Sequence, residues 1–170
     1  MCGIHGALGS DAEAVEQMSR ATIHRGPDQQ GISAHKMATI GNNRLAIIDL
    51  SEAGRQPITS ADGRFTIVFN GEIYNFKELR QELEGLGAHF RGGSDTEVIV
   101  EGYARWGRGI VDRLRGMWAF CIRENQSGDL FLCRDPFGIK PLYLYHDGAT
   151  VAFCSEIKGL LAHPAVSRQW

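Results

Sequence analysis

Short apolar segments bounded by turn residues recur along most of this chain. Segments of this kind are typical of β-strands. Glycine supplies 21 of the 170 residues, about 12%, against a usual level of about 7%. Because glycine permits tight turns and close backbone approach, the pattern predicts a turn-rich sheet protein. The segments are CGIHGALG, GISAH, KMATIGNNRLAIIDL, RFTIVFN, MWAFCIRE, DLFLCRD, LYLYHD and TVAFC.

Helical patterns are few, and they lie between groups of strands. Two of them begin with a capping residue that is followed three positions later by glutamate, the spacing of a capping box. Because helices do not alternate regularly with strands, the predicted fold class is α+β with largely antiparallel sheets. The RFTIVFN strand is expected to run into a turn at NGE. The predicted helix starts are Ser10 or Asp11, Asn75, Ser94 and Ser155.

Length and charge exclude several classes of protein. A chain of 170 residues with 43% hydrophobic and 22% charged residues has the composition of one globular domain. Its net charge of -2 lacks the basic excess that nucleic acid or an anionic membrane requires. No apolar run approaches a membrane span, and the N-terminus has no signal-peptide pattern, which predicts a cytoplasmic protein.

Cysteine and histidine spacing favours neither a disulfide framework nor a metal site. The four cysteines form no CxxC pair, and the six histidines show no HxxxH or HExxH spacing. Three cysteines lie in apolar strand-like segments, where a small buried side chain is the commoner role. We therefore expect no bound metal and no redox cysteine pair.

Cys2 is the first candidate catalytic residue. Removal of Met1 would leave a thiol and a free α-amine on one residue. An α-amine titrates near 7.7–8.0 and a thiol near 8.5, so the amine can act as base for its own side chain. The alternative is that a cysteine at position 2 has no role.

The Asn70-Gly71 pair forms a second candidate site. It follows an apolar strand in the segment FNGEIYN at 69–75. A side-chain amide and a backbone N–H that converge after a strand can form an oxyanion hole. The alternative is an ordinary Asn-Gly hairpin turn.

Arg44 and Asp95 are candidate charged contacts for a substrate. Arg44 ends an apolar strand, where a guanidinium could grip a carboxylate, or could form a surface ion pair. Asp95 starts a helix after glycines, where it could attract an ammonium group or only stabilise the helix dipole. Taken together with a nucleophilic thiol and an oxyanion hole, these residues suit amide hydrolysis of a free amino-acid side chain.

Eight ordered motifs resemble one family, the glutaminase domains of class II glutamine amidotransferases, which carry an N-terminal nucleophile. The resemblance covers almost the whole chain and is nearest to the asparagine synthetase branch. The motifs are MCGI at 1–4, HRGPD at 24–28, RLAIID at 44–49, QP at 56–57, FNGEIYN at 69–75, GGSDTEVI at 92–99, RDPFGIKPLY at 134–143 and SEIKGLL at 155–161.

The resemblance implies a four-layer αββα sandwich of two antiparallel sheets. It implies that Cys2 is both nucleophile and, through its α-amine, general base, and that Asn70 and Gly71 form the oxyanion hole. His24 would lie in a loop near the substrate without an assigned acid-base role. The implied substrate contacts are Arg44 to the α-carboxylate of glutamine, Asp95 to its α-ammonium, and Leu45, Ala46, Ile47, Ile48 and Glu72 along the pocket.

The resemblance also implies partners and domain limits. The glutaminase domain would span 2–165, and 166–170 would begin a linker to a synthetase domain that this chain lacks. The expected substrate is L-glutamine, and the ammonia would pass to that synthetase domain or subunit. No cofactor is expected in this domain, since ATP and magnesium belong to the synthetase half. The alternatives are a domain that binds glutamine or docks without turnover, and amidation of another carboxylate acceptor.

Overall fold

The structure, a computed structural model, describes residues 1–46 and 51–167. The described strands are β1 Gly3–Leu8, β2 Gln29–Ser33, β3 Ala38–Arg44, β4 Ile58–Thr59, β5 Phe65–Ile73, β6 Gly116–Glu124, β7 Leu130–Arg134, β8 Tyr143–His146 and β9 Val151–Cys154. The α-helices are α1 Ala12–Ala21, α2 Phe76–Gly85, α3 Asp95–Trp106 and α4 Ile157–Leu160, with 3-10 turns at Ile23–Arg25, Glu52–Gly54 and Gly107–Arg113.

The strands form two sheets, and the described strand pairs are all antiparallel. The first sheet has the order β2-β3-β1-β9-β8, and the second has the order β4-β5-β6-β7. The N-terminal strand β1 lies in the middle of the first sheet, with β3 on one side and β9 on the other. The α+β prediction with antiparallel sheets is therefore confirmed.

The two sheets face each other and helices cover their outer faces. Ile4, Ile40 and Phe153 of the first sheet pack between the sheets against the second. Helices α1 and α4 pack on the first sheet, and α3, with α2 beside it, packs on the second. Each large apolar side chain buried in these layers stabilises the fold by about 1.5–3 kcal/mol. The result is the four-layer αββα arrangement.

Helix α3 begins where its local sequence predicts. The Ser94 hydroxyl accepts a hydrogen bond from the backbone N–H of Glu97 at 3.2 Å, which satisfies one of the free amides of the first turn. The Glu97 carboxylate does not close the capping box. It accepts instead from the backbone N–H groups of Arg91 and Gly92, at 2.8 and 2.9 Å, and so ties the preceding loop to the helix.

Two predicted caps are wrong because distant backbone groups compete for them. The Asn75 side chain makes no cap to α2; it donates to the carbonyl of Arg113 and accepts from the N–H of Arg115. The Ser155 hydroxyl accepts from the N–H of Ile4 at 2.9 Å instead of capping α4. Both side chains join segments that are far apart in sequence.

The predicted ends of two strands also differ from the structure. The NGE segment is not a turn: β5 continues to Ile73, because it pairs with β6 as far as Gly116. The strand predicted to run beyond position 44 ends at Arg44, and positions 47–50 lie outside the described residues. The two-residue strand β4 lies outside all of the predicted strand segments.

The four cysteines are free thiols, and two of them are part of the core. Cys121 and Cys154 are fully buried, and burial raises the pKa of the Cys154 thiol to about 11. A thiol with a raised pKa is a poor nucleophile at neutral pH.

Among residues 1–46 and 51–167, none of the helices has the length and hydropathy of a membrane-spanning helix.

His5 makes the stability of the fold depend on pH. Its side chain is fully buried, and neither ring nitrogen has a hydrogen-bond partner in the described part of the chain. Burial lowers its pKa from 6.5 to about 3. Below pH 6.5 the unfolded chain therefore binds a proton that the folded chain does not, so the free energy of unfolding falls as pH falls.

We expect the His5→Leu variant to lose this pH dependence. Between pH 7 and pH 5 the free energy of unfolding of the wild type should fall by about 2 kcal/mol through His5, and the leucine variant should not show this loss. Urea unfolding of both proteins at pH 7 and pH 5 measures the difference. Equal losses in the two proteins would show that His5 takes up its proton in the folded state.

Candidate active site

A pocket of about 260 Å³ opens where the two sheets and the start of α3 meet. The N-terminus, the end of β3, the second half of β5 and the first turn of α3 all contribute residues to it. The lining residues are Met1, Cys2, Arg44, Leu45, Gly54, Gln56, Phe69, Asn70, Gly71, Glu72, Ser94, Asp95, Thr96, Met117 and Lys140.

Most of the site residues expected from the sequence lie in this pocket. Ala46 is not part of the lining; its backbone N–H donates to the Asp28 carboxylate at 2.9 Å. Ile47 and Ile48 lie outside the described residues. The predicted residues that line the pocket are Cys2, Arg44, Leu45, Asn70, Gly71, Glu72 and Asp95.

Cys2 is held in the pocket by Leu45, the residue that follows β3. Its sulfur accepts a hydrogen bond from the backbone N–H of Leu45 at 3.4 Å and lies 3.6 Å from the carbonyl oxygen of the same residue. Because Met1 precedes it, the Cys2 nitrogen is part of a peptide bond in this structure. The thiol thus lies in the pocket with Met1 attached.

Arg25 fixes the backbone of Cys2 from the other side. Its Nε donates to the Cys2 carbonyl at 2.9 Å, and its Nη1 donates to Glu156 at 3.0 Å. Burial acts to raise the pKa of Glu156, but hydrogen bonds from Arg25, His24 and Lys158 outweigh it and lower the pKa to about 2. His24 belongs to this ionic cluster and not to the pocket lining.

Asn70 presents a free hydrogen-bond donor at the pocket. Its side chain is 1% exposed, and its Nδ2 has no partner among the described residues. A buried donor without an acceptor costs about 1–3 kcal/mol, so a ligand oxygen that accepts from it gains binding energy. Beside it, a Cβ on Gly71 would lie 2.3 Å from the carbonyl oxygen of Met117, and only glycine fits there.

Asp95 supplies a buried carboxylate at the first residue of α3. Burial raises its pKa to about 6, with a contribution from the negative charge of Glu72. Hydrogen bonds from backbone N–H groups oppose this shift, among them that of Ile73, which donates to Asp95 Oδ2 at 3.0 Å. A cationic ligand beside this carboxylate would favour its charged form and so lower the raised pKa.

Arg44 supplies a positive charge to the same pocket. It is 5% exposed, and its Nη1 donates to the Gln29 side chain at 2.6 Å. Arg44 and Asp95 both line the cavity, so the site can bind a zwitterion that carries one carboxylate and one ammonium group.

Sequence reasoning assigned no role to Gln56, Thr96 or Lys140, which also line the pocket. Lys140 is 7% exposed, and its ammonium lies 3.5 Å from the Met1 sulfur. Each of the three lies inside one of the eight family motifs. A polar residue within such a motif is a signal in the sequence that could identify them, but their burial is visible only in the folded chain.

Together these groups suit acyl transfer from a small amino-acid amide. The cavity combines a thiol, an unpaired amide donor, a cation and a carboxylate. A thiol nucleophile with a nearby oxyanion donor is the arrangement of covalent catalysis. Within residues 1–46 and 51–167, no three histidine, cysteine or acidic side chains are grouped so that they could hold a metal ion.

Comparison with known proteins gives relatives across the whole chain. This chain is 37% identical to asparagine synthetase [glutamine-hydrolyzing] 3 of Bacillus subtilis, and the match covers 98% of this chain and 28% of the relative. It is 38% identical to a putative asparagine synthetase [glutamine-hydrolyzing] 2 of Methanocaldococcus jannaschii, over 99% of this chain and 36% of the relative. The chain thus spans about a third of the length of these relatives.

A solved structure shares the fold. Glutamine phosphoribosylpyrophosphate amidotransferase from B. subtilis matches with a TM-score of 0.80 and 24% identity, over 95% of this chain and 43% of that one. At this identity the match shows the fold alone. The profile of the glutamine amidotransferase domain matches residues 1–170. On this full-length match, the chain belongs to the family of glutamine amidotransferase domains.

Proposed function

We propose that this chain hydrolyses the side-chain amide of L-glutamine to glutamate and ammonia. The observation that carries the proposal is one cavity that holds the Cys2 thiol, the unpaired Asn70 amide and the Arg44 and Asp95 charges. Glutamine has a partner for each of these: its amide carbon for the thiol, its amide oxygen for Asn70, its α-carboxylate for Arg44 and its α-ammonium for Asp95.

The first chemical step forms a thioester. After Met1 is removed, the Cys2 α-amine takes the thiol proton and the sulfur attacks the amide carbon of glutamine. The carbonyl electron pair moves to oxygen, and the resulting oxyanion accepts hydrogen bonds from Asn70 Nδ2 and the Gly71 N–H. The carbon–nitrogen bond then breaks, and ammonia leaves with the proton held by the α-amine.

The second step releases glutamate. Water gives a proton to the Cys2 α-amine and its oxygen attacks the thioester carbon, through a second oxyanion in the same position. The carbon–sulfur bond breaks, and the leaving thiolate takes the proton held by the α-amine. Arg44 and Asp95 hold the α-carboxylate and α-ammonium throughout, which keeps the reacting carbon beside the sulfur.

The ammonia acceptor is proposed to be a synthetase domain of the asparagine synthetase type. Support comes from the names of the curated relatives and from their greater length. On this proposal residues 2–165 form the glutaminase domain, 166–170 begin the linker, and ATP and magnesium serve the synthetase part. Neither hydrolytic step above requires a cofactor. A cytoplasmic location stays a prediction.

The experiment is glutamine turnover together with labelling of Cys2 by a glutamine-shaped electrophile. The protein is first shown by mass spectrometry to begin at Cys2. We expect ammonia release and a single adduct on Cys2 that excess glutamine prevents. Glutamine binding without turnover or adduct would favour the docking alternative. A Cys2 adduct that glutamine does not prevent would overturn the proposed substrate.

The pH profile of glutamine hydrolysis tests the role of Asp95. The pKa of about 6 means that the carboxylate is neutral below pH 6 and cannot pair with the ammonium group. Since the Cys2 α-amine must also be unprotonated, we expect kcat/KM to fall with slope one below about pH 8 and with slope two below pH 6.

In the Asp95→Asn variant, kcat/KM should fall with slope one below about pH 8 and should show no second slope below pH 6. The variant keeps the acceptor for the Ile73 N–H but removes the charge, so kcat/KM at pH 7.5 should fall on the order of a hundredfold. The measurement is the initial rate of glutamate formation from pH 5 to pH 9. A slope of two that persists in this variant would assign the second proton to another group.

A further inference from the structure

Gln56 joins the two elements that carry the proposed substrate contacts. It is 6% exposed and lines the pocket. Its Oε1 accepts a hydrogen bond from the backbone N–H of Phe69 at 2.7 Å, and its Nε2 donates to the Thr96 hydroxyl at 3.3 Å. One side-chain amide therefore bridges β5 and the first turn of α3.

Both partners of Gln56 are sequence neighbours of site residues. Phe69 immediately precedes Asn70, whose Nδ2 is the free donor of the pocket. Thr96 immediately follows Asp95, which carries the buried carboxylate. A shift of β5 relative to α3 would change the distance between that donor and that carboxylate. It would strain the two Gln56 hydrogen bonds as well as the direct bond from the Ile73 N–H of β5 to Asp95.

The backbone of Gln56 is itself held in place. Its carbonyl oxygen lies so close to Gly31 of β2 that an added Cβ there would approach within 2.0 Å of it. Gln56 is thus a buried residue that is hydrogen-bonded to β5 and α3 and packs closely against β2. A link of this kind resists small relative movements, because well-packed interiors transmit displacement instead of absorbing it.

We propose that Gln56 is a positioning residue that sets the spacing between the Asn70 amide and the Asp95 carboxylate, and so selects a substrate of the length of glutamine. The inference rests on the proposed function, in which those two groups hold the two ends of glutamine. Asparagine carries the same groups but is one methylene shorter, so it cannot reach both at the wild-type spacing. Loss of the link should reduce this discrimination.

The test compares variants that remove the link with a variant that keeps it. Gln56→Met has a similar length but no hydrogen-bonding atom of comparable strength, and Thr96→Val removes only the contact to α3. We expect kcat/KM for glutamine to fall on the order of tenfold to a hundredfold in Gln56→Met, as for a misplacement of about 1 Å. In Thr96→Ser, which keeps the hydroxyl, kcat/KM for glutamine should fall less than in Thr96→Val.

Two readouts separate positioning from general damage to the fold. The ratio of kcat/KM for glutamine over asparagine should fall in Gln56→Met and Thr96→Val. Alkylation of Cys2 by iodoacetamide requires neither substrate end, so its rate should stay within about twofold of wild type. Unchanged glutamine-to-asparagine ratios in both variants would overturn the inference. A fall in every rate by the same factor would overturn it too.

The wild type, measured in parallel, reports on the proposed function itself. If it neither hydrolyses glutamine nor takes a glutamine-protected label at Cys2, the proposed function fails before any variant is compared. If it does both, the variants decide the role of Gln56 alone. If Gln56→Met does not fold, the ratio of kcat/KM for glutamine over asparagine in Thr96→Val and Thr96→Ser decides the question, because Thr96 is the α3 partner of Gln56.

Discussion

Replacement of Cys2 by alanine is expected to reduce glutamine hydrolysis on the order of 10⁴-fold or more. The loss is large because the variant removes the proposed nucleophile, and the α-amine then has no thiol to deprotonate. Alanine keeps a free α-amine after Met1 is removed but has no thiol. The measurement is glutamate formation by proteins whose N-termini have been verified by mass spectrometry.

Retention of Met1 provides the matched control for this variant. The unprocessed chain keeps the thiol, which accepts the Leu45 N–H at 3.4 Å, but its Cys2 nitrogen is an amide and cannot act as a base. We expect it to be inactive as well, although glutamine should still bind in Cys2→Ala. Full activity with Met1 in place would show that another group is the base.

Replacement of Asn70 by alanine should lower kcat by about 10²–10³-fold, as when one oxyanion donor is removed. The Nδ2 of Asn70 has no partner in the described residues, so the variant loses no hydrogen bond of the folded chain through that atom. KM for glutamine should change much less than kcat, because the negative charge on oxygen develops only as the thiol attacks.

Asn70→Asp sharpens this test. It preserves side-chain size at a position that is 1% exposed but replaces the donor with an acceptor, so its kcat should fall at least as far as that of the alanine variant. Steady-state kinetics with urea unfolding on the same samples separates catalysis from stability. A kcat within threefold of wild type in either variant would remove Asn70 from the oxyanion hole.

Features that depend on neighbouring residues were predictable from the sequence. Helix α3 begins after Ser94 because that hydroxyl binds an amide only three residues away. The α+β class follows from the order of the segments in the same way. These predictions succeeded because each interaction is local or depends on the order of segments alone.

Features that depend on distant partners were missed. Asn70-Gly71 has the sequence of a turn, yet β5 continues through it because β6 supplies paired backbone groups as far as Gly116. Asn75 and Ser155 have the residue types of helix caps, yet loop and strand amides bind them instead. Local preference is worth about 1 kcal/mol at a cap, which a paired strand or a buried contact can exceed.

The candidate site likewise has features that the sequence shows directly and features that depend on distant partners. By itself the sequence was enough to place the proposed nucleophile and the proposed base on one residue, Cys2, since removal of Met1 would leave a thiol and an α-amine there. Only the tertiary structure decided that Asn70 and Asp95 share its pocket, that burial raises the pKa of Asp95 to about 6, and that Gln56 links their elements. Burial and spacing arise from packing between segments far apart in the chain, and no local pattern encodes them.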